Sequence, residues 1–498
     1  MSLVRGDVVD VIADVRLTGP GRTDPFGAEL VDVHVAREII VDIAPAGALP
    51  RRGAVLEGSG GWLLPGLWDH HVHTVQWALA ARRVVLEGAA SAAEAAALMG
   101  ATPAGDDGRR VGSGFRDALW VDRPDLPLLD AATGDVPTYL INSDVHSVWL
   151  NSAALRREGM WAADGVLREE PAFEISRRLN ALDVDLADAA VMEAARAASA
   201  RGVVGIVDLD MAWNAGAWDR RVSRGFDAVR VSFGVYASSL ERAIEAGLQT
   251  GDAIDAGRLV RMGPFKVITD GSLGTRTAAC SHHYPGRTGD FGVMTVPPEE
   301  LTALMHRATG AGISCAVHAI GDVANSHALD AFAATGATGT IEHAQLVAHA
   351  DIPRFARLGV AASIQPAHAV DDRDMADEFW AGQTAIAYPL RELADAGANL
   401  LFGSDAPVAP LDPWATMAAA VFRTGDGRGP WRPHQRLDAA TALAASTAHG
   451  SHAGTALAPG APSDLIVVDR DPLAATADGL RATVVAATLL GGRLTHVA

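Results

Sequence analysis

Two cysteines in 498 residues, Cys280 and Cys315, exclude a disulfide-stapled scaffold and any zinc site built from cysteine pairs. No apolar run reaches the roughly 18 residues that would cross a bilayer. The amino terminus, Met-Ser-Leu-Val-Arg-Gly-Asp, has no apolar h-region, so a cytoplasmic protein is expected. Positive charge is also scarce. The 60 acidic and 41 basic side chains leave a formal charge of −19, which argues against nucleic acid and anionic membrane partners. Hydrophobic residues at 49% and charged ones at 20% are globular values, so a disordered chain is excluded as well.

The rarest side chain decides the most. The 41 basic residues are 40 Arg and a single lysine, Lys266. A chain that meets every other need for positive charge with arginine has kept an amine at one place. A guanidinium stays protonated under ordinary conditions, whereas an amine can lose its proton and attack a carbonyl or carbon dioxide. Its setting, Gly263-Pro-Phe-Lys-Val-Ile-Thr-Asp-Gly271, is an apolar, strand-like run.

Both ends of the chain have the period of short antiparallel strands, with Val31, Val33 and Val35 on one parity and Asp32 and His34 on the other. Similar runs recur at Asp464–Asp469, Val484–Leu490 and Arg493–Val497. The two ends are therefore expected to form one small β-sandwich domain from 1–60 plus 452–498. Between them β-like runs alternate with Ala-rich helical stretches, the pattern of parallel βα units. Candidate strands are 62–69, 138–143, 203–209, 229–236, 263–269, 313–319, 339–343, 360–365 and 399–404, nine for the eight places of a closed barrel. The misfit is 138–143, because it lies in a segment of about 80–190 that is too long for an ordinary connection. The expected fold is thus an α/β (β/α)8 barrel over 61–451, with 80–190 inserted between strands one and two as a lid.

Strand one runs into His70-His71-Val-His73. Alternation puts His71 and His73 on one side, where both can bind one metal. With 17 histidines in the chain, a chance His-x-His is expected about 0.6 times, so the motif needs company. Company comes at later strand ends, with Lys266 on strand four, His318 on five, His343 on six and Asp405 on eight. That rim is where parallel barrels build their sites. Each residue alone could be structural, but six on one rim read together as a metal site. A mononuclear deaminase and a Schiff-base lyase using Lys266 are the competing chemistries.

The segments Pro65–His73, Lys266-Val-Ile-Thr-Asp270-Gly-Ser-Leu-Gly-Thr-Arg276, His318-Ala-Ile-Gly-Asp322, Ile341-Glu-His-Ala-Gln345, Ser363-Ile-Gln365-Pro and Gly403-Ser-Asp405-Ala-Pro resemble the amidohydrolase superfamily. Together with Asp144-Val-His146-Ser-Val-Trp149-Leu-Asn151, they are similar to the branch containing N-substituted formamide deformylase. The resemblance implies a binuclear site with two divalent ions, zinc by family pattern. His71, His73 and Asp405 would hold one ion, His318 and His343 the other, with Lys266 bridging them as a carbamate derived from CO2. It further implies hydrolysis of a non-peptide C–N bond of amide or formamide type by a metal-bound hydroxide, Asp405 moving the proton. His146, Arg276 and Gln365 are expected at the substrate, and Asp69 and Asp322 as acceptors for histidine ring N–H groups. Trp77, Trp120 and Trp149 suggest an aromatic pocket. The partner is a small molecule, and a homodimer is compatible with the size.

Overall fold

The computed structural model describes residues 3–18, 29–180, 184–425, 427–450 and 456–498. The boundary expected at 451–452 lies outside the described residues. Eight strands pair in parallel in chain order: β1 (Leu67–Val72), β2 (Val203–Asp208), β3 (Arg230–Tyr236), β4 (Val260–Ile268), β5 (Cys315–Ala319), β6 (Gly339–His343), β7 (Ala361–Ile364) and β8 (Leu400–Phe402). The ring closes just beyond β8, where Val72 bridges Ala406 and the Asp405 amide donates to the His71 carbonyl at 2.8 Å. Closing β1 onto the segment after β8 brings His71 and Asp405, 334 positions apart, side by side.

These strands are buried on both faces, so they read as apolar runs rather than alternating ones. Val231, Phe233, Val235, Phe265, Val317 and Ile341 all belong to one large core with the surrounding helices. At the carboxyl ends the apolar run stops and polar side chains begin. That change of composition, more than any local motif, positions the site.

The expected strand 62–69 is in fact two. Trp62–Pro65 joins the terminal sheet and Leu67–Val72 joins the barrel, with the break at Gly66, where a Cβ would fall 2.4 Å from the Val204 methyls. The close approach of two strands at that corner admits only glycine. The terminal sheet combines Val11–Leu17, Val31–Ala36, Ile39–Pro45 and Val55–Glu57 with Leu465–Val468, Val485–Leu490 and Arg493–Val497. It is mixed rather than purely antiparallel. Val11–Leu17 bulges at Asp14, whose φ is 54°. Its first half pairs antiparallel with Val31–Ala36, and Arg16 and Leu17 pair in parallel with Trp62 and Leu63. Ile12, Val15, Val33, Leu63, Val467 and Leu489 from both halves meet in one small core.

Between β1 and β2 a separate five-stranded sheet is ordered Val166–Arg168, Ser147–Leu150, Thr138–Asn142, Arg110–Phe115, Val84–Val85. The ninth candidate strand lies here, outside the barrel. The sheet has its own core around Tyr139, Ile141, Val148 and Leu150 on one face and Leu140, Trp149 and Phe115 on the other. No helix among the described residues is long and apolar enough to cross a membrane.

Candidate metal centre

At the carboxyl rim, Asp405 Oδ1 lies 3.5 Å from His71 Nε2 and 3.2 Å from His73 Nε2. The His343 ring centre is 4.9 Å from that of His71 and 4.6 Å from that of His318. His71, His73 and Asp405 can offer ligand atoms within 4.8 Å of one another, as can His343, His368 and Asp405. Of the sequence-predicted residues, His71, His73, His146, Lys266, His318, His343 and Asp405 line one cleft of about 900 Å³.

Lys266 sits among them, 1% exposed, and its Nζ has no hydrogen-bond partner among the described residues. Burial lowers its ammonium to about 8, although Glu342 and Asp405 pull the other way. An orphaned buried amine is costly unless something binds it. Burial, with the Lys266 charge added, also holds His318 and His343 well below the ordinary imidazole value, so both rings are neutral and free to donate lone pairs. Burial would raise the Asp405 carboxyl, but the surrounding histidines outweigh it and hold it well below the usual range. Neutral imidazoles, an ionised carboxylate and a partnerless amine make a donor set suited to divalent cations.

The rings are oriented from behind. His71 Nδ1 donates to Glu342 Oε2 at 2.6 Å, and His343 Nδ1 donates to Gln365 Oε1 at 2.8 Å. That leaves each Nε2 for a ligand. His318 Nε2 is 3.4 Å from Asp270 Oδ1, a carboxyl that burial raises to about 7 and that accepts the amides of Ala279, Ile320 and Gly321. The acceptors expected at Asp69 and Asp322 serve other donors. Asp69 takes the His71 and Ser404 amides, while Asp322 takes the amide and hydroxyl of Ser281.

The residues expected at the substrate part company. His146 reaches the cleft from the inserted sheet, hydrogen-bonded at Nδ1 to Glu169 Oε2 at 2.8 Å. Burial acts to lower it, but Glu169 prevails and raises it to about 9. Gln365 is not among the lining residues and instead orients His343. Arg276 does not line the cleft either, its guanidinium lying 3.9 Å over the Phe379 ring. The guanidinium that does line the cleft is that of Arg116, 3.3 Å from Asp371. None of Trp77, Trp120 and Trp149 lines the cleft, and Trp149 is fully buried in the insertion's core. Phe173, Met211, Leu273, Met375 and Val408 supply its apolar wall instead.

Sequence reasoning missed His368, on the short helix Pro366–Asp371 that follows β7. It also missed the backbone that aims the site: His343, Ala344 and Asp405 on the rim and Val145 and Glu169 on the insertion all have φ between 42° and 76°. Left-handed backbone at non-glycine residues clusters where surrounding structure imposes it, often at functional sites.

A model described as Amidohydrolase family matches residues 56–496. The protein LONG AFTER FAR-RED 3 of Arabidopsis thaliana is 27% identical over 479 residues, covering 86% of this chain and 82% of that protein. The N-substituted formamide deformylase of Arthrobacter pascens is 27% identical over 253 residues, about half of each chain at 48% and 46%. The fold matches that of an uncharacterized metal-dependent hydrolase from Pyrococcus horikoshii OT3, with a TM-score of 0.78 at 24% identity over 94% of this chain and 99% of that one.

Proposed function

The chain belongs to the amidohydrolase family of metal-dependent hydrolases acting on carbon–nitrogen bonds, and on that premise we propose that it cleaves a non-peptide amide, of N-formyl or N-acyl amine type, at a binuclear site. The observation that carries this reading is the single lysine of the chain, buried and without a hydrogen-bond partner among the described residues, in the cleft that His71, His73, His318, His343 and Asp405 also line. His71, His73 and Asp405 would hold one divalent ion and His318 and His343 the other, zinc being the ion that suits neutral imidazoles and a carboxylate. Lys266 would be shared between them as a carbamate. Its amine forms a bond to the carbon of CO2, one proton leaves, and the product presents two oxygens that share a negative charge. Burial keeps the amine near 8, so a usable fraction is unprotonated and nucleophilic at neutral pH.

When bound, such ions lower the pKa of a water and polarise a carbonyl. The protein's own part is orientation and proton transfer. Glu342 and Gln365 fix two of the imidazoles. Asp405, held ionised by its histidines, accepts the proton of the attacking water and returns it to the leaving nitrogen, so that amide and water become acid and amine. The apolar wall of Phe173, Met211, Leu273 and Val408 would take the organic part of the substrate.

The test is metal content per chain, by elemental analysis, on wild type and Lys266→Ala purified without chelators and with bicarbonate present. Close to two ions in wild type and a marked loss in the variant support the reading and direct the screen to N-formyl amines, given the deformylase relative. One ion or fewer, unchanged by the substitution, sinks it. A mononuclear aminohydrolase is the second reading. One observation favours it: both candidate triads share Asp405 and one of them recruits His368, so a single ion there would leave Lys266 idle.

A further inference from the structure

Resting on the acyl-hydrolase reading above, we propose that the inserted sheet completes the site, with His146 touching the acyl group of the substrate and Glu169 acting as the positioning residue that aims it. His146 is buried yet lines the cleft, and its ring centre is 5.7 Å from that of His318. Two neighbours fix that ring. Glu169 Oε2 takes Nδ1 at 2.8 Å, and Phe173 packs edge-on at 5.1 Å. The ring nitrogen left for the cleft is Nε2.

Glu169 is held just as firmly. Its Oε1 accepts the Thr277 hydroxyl at 2.7 Å and lies 3.4 Å from that of Thr275, both on the loop that follows β4, the strand of Lys266. A Cβ on Gly271 of that loop would fall 1.9 Å from Thr277 Oγ1 and 2.8 Å from Glu169 Oε1, so a side chain at that position would collide with the carboxylate and with the hydroxyl that holds it. A second tie runs in parallel, with Ser272 Oγ donating to Asp144 Oδ2 at 2.7 Å and Asp144 Oδ1 accepting the His146 amide at 3.0 Å. Val145 and Glu169, next to and opposite His146, both have left-handed backbone, with φ of 57° and 53°. For a β-branched residue that conformation is a genuine outlier. The insertion therefore bends its backbone at two places where an ordinary strand and helix start would not. The joint effect is one imidazole delivered to the rim from outside the barrel and tied to the loop that follows the strand carrying Lys266.

The probe is sodium formate, the smallest acid that acyl hydrolysis can release, titrated into metal-loaded protein and followed by 13C NMR, with metal content measured on the same samples. His146→Gln and Glu169→Gln should each weaken formate binding about tenfold, the scale of one charge-assisted hydrogen bond. The double variant should be no weaker than His146→Gln, because Glu169 acts through His146. Glu169→Asp should recover part of the loss, and metal content should stay at the wild-type level throughout. Should Glu169→Gln fail to fold, Thr277→Val, which removes the hydroxyl behind Glu169 and leaves the carboxylate in place, should show a smaller loss in the same direction. Formate binding unchanged by Glu169→Gln, losses that multiply in the double variant, or no formate binding to wild type would each overturn the assignment. Wild-type protein that binds formate with the expected dependence on both residues while carrying no metal upholds it and refutes the binuclear reading instead.

Discussion

Asp32 in the terminal sheet and Lys266 on the barrel rim are both ionisable groups with almost no exposed surface, at 0% and 1%. Asp32 is fully answered. It accepts the Asp14 amide at 3.0 Å, the Gly47 amide at 2.9 Å, and a two-pronged bond from Arg51, both prongs at 2.9 Å. Burial would raise its carboxyl, but those donors lower it below the usual value. The Lys266 amine has no hydrogen-bond partner among the described residues. Equal burial with opposite satisfaction separates two uses of a polar group. In the terminal sheet the polar interior fixes the fold, and on the rim it is left open to a ligand.

The largest test of that contrast is Lys266→Met, which keeps the length and removes the charge. Turnover should fall by about a thousandfold or more and bound metal should be lost. The chelator-stripped variant should nonetheless melt no lower than chelator-stripped wild type, because an unpaired buried amine destabilises the fold that contains it. A lower melting temperature in the stripped state would break the contrast. Asp32→Ala is the converse. It removes a buried carboxylate and orphans two amides, at a cost of about 3 kcal/mol, the low end for breaking such a pair because Arg51 is exposed and can turn to water. Denaturant unfolding reads this directly, and kcat of the folded protein should not change.

The barrel was largely legible because its evidence is periodic. Eight apolar runs gave way to polar side chains at or next to their carboxyl ends, and the one lysine among 41 basic residues stood out by count. What stayed hidden depends on chain paths that break the period. Gly66 divides one apolar run between two sheets, and no alternation rule marks where. Glu342 lies beside His343 in sequence, so ordinary alternation would point them apart. His343 adopts a φ of 76°, and both side chains serve the site, Glu342 behind His71 and His343 in front. Glu169 lies 23 residues from His146, and their pairing exists only once the insertion has folded. His368 stands on a helix rather than at a strand end, where strand-based reasoning does not look.

Glu342→Gln probes a residue between the two extremes, buried and answered yet serving the rim. Burial acts to raise this carboxyl, but His71 and Lys266 hold it down to about 2. Glutamine keeps its shape and gives up its charge. Metal affinity should fall by about 10- to 100-fold, the usual cost of losing a carboxylate behind a ligating histidine, with a small change in melting temperature. Competition against a chromogenic chelator measures it. An unchanged affinity would move Glu342 to the same class as Asp32.

The smallest expected effect is the pH signature of the orphan amine in metal-free protein. Unfolded, Lys266 titrates near its ordinary value of about 10.4, and folded it titrates at about 8. Below pH 8 both states carry the proton, and the penalty for burying a charge is fully present. Between pH 8 and the unfolded value the unfolded chain binds more protons than the folded one, so stability rises with pH. From pH 8 to 9 the gain should be about 1 kcal/mol. Lys266→Met should lack it, while Asp32→Ala should keep it, since a carboxylate paired with Arg51 has finished titrating far below this range. The difference between the three unfolding curves therefore isolates one amine from every other group in the molecule. If Lys266→Met shows the same rise, the amine is not buried as a free base in the metal-free state, and the contrast with Asp32 loses its physical basis.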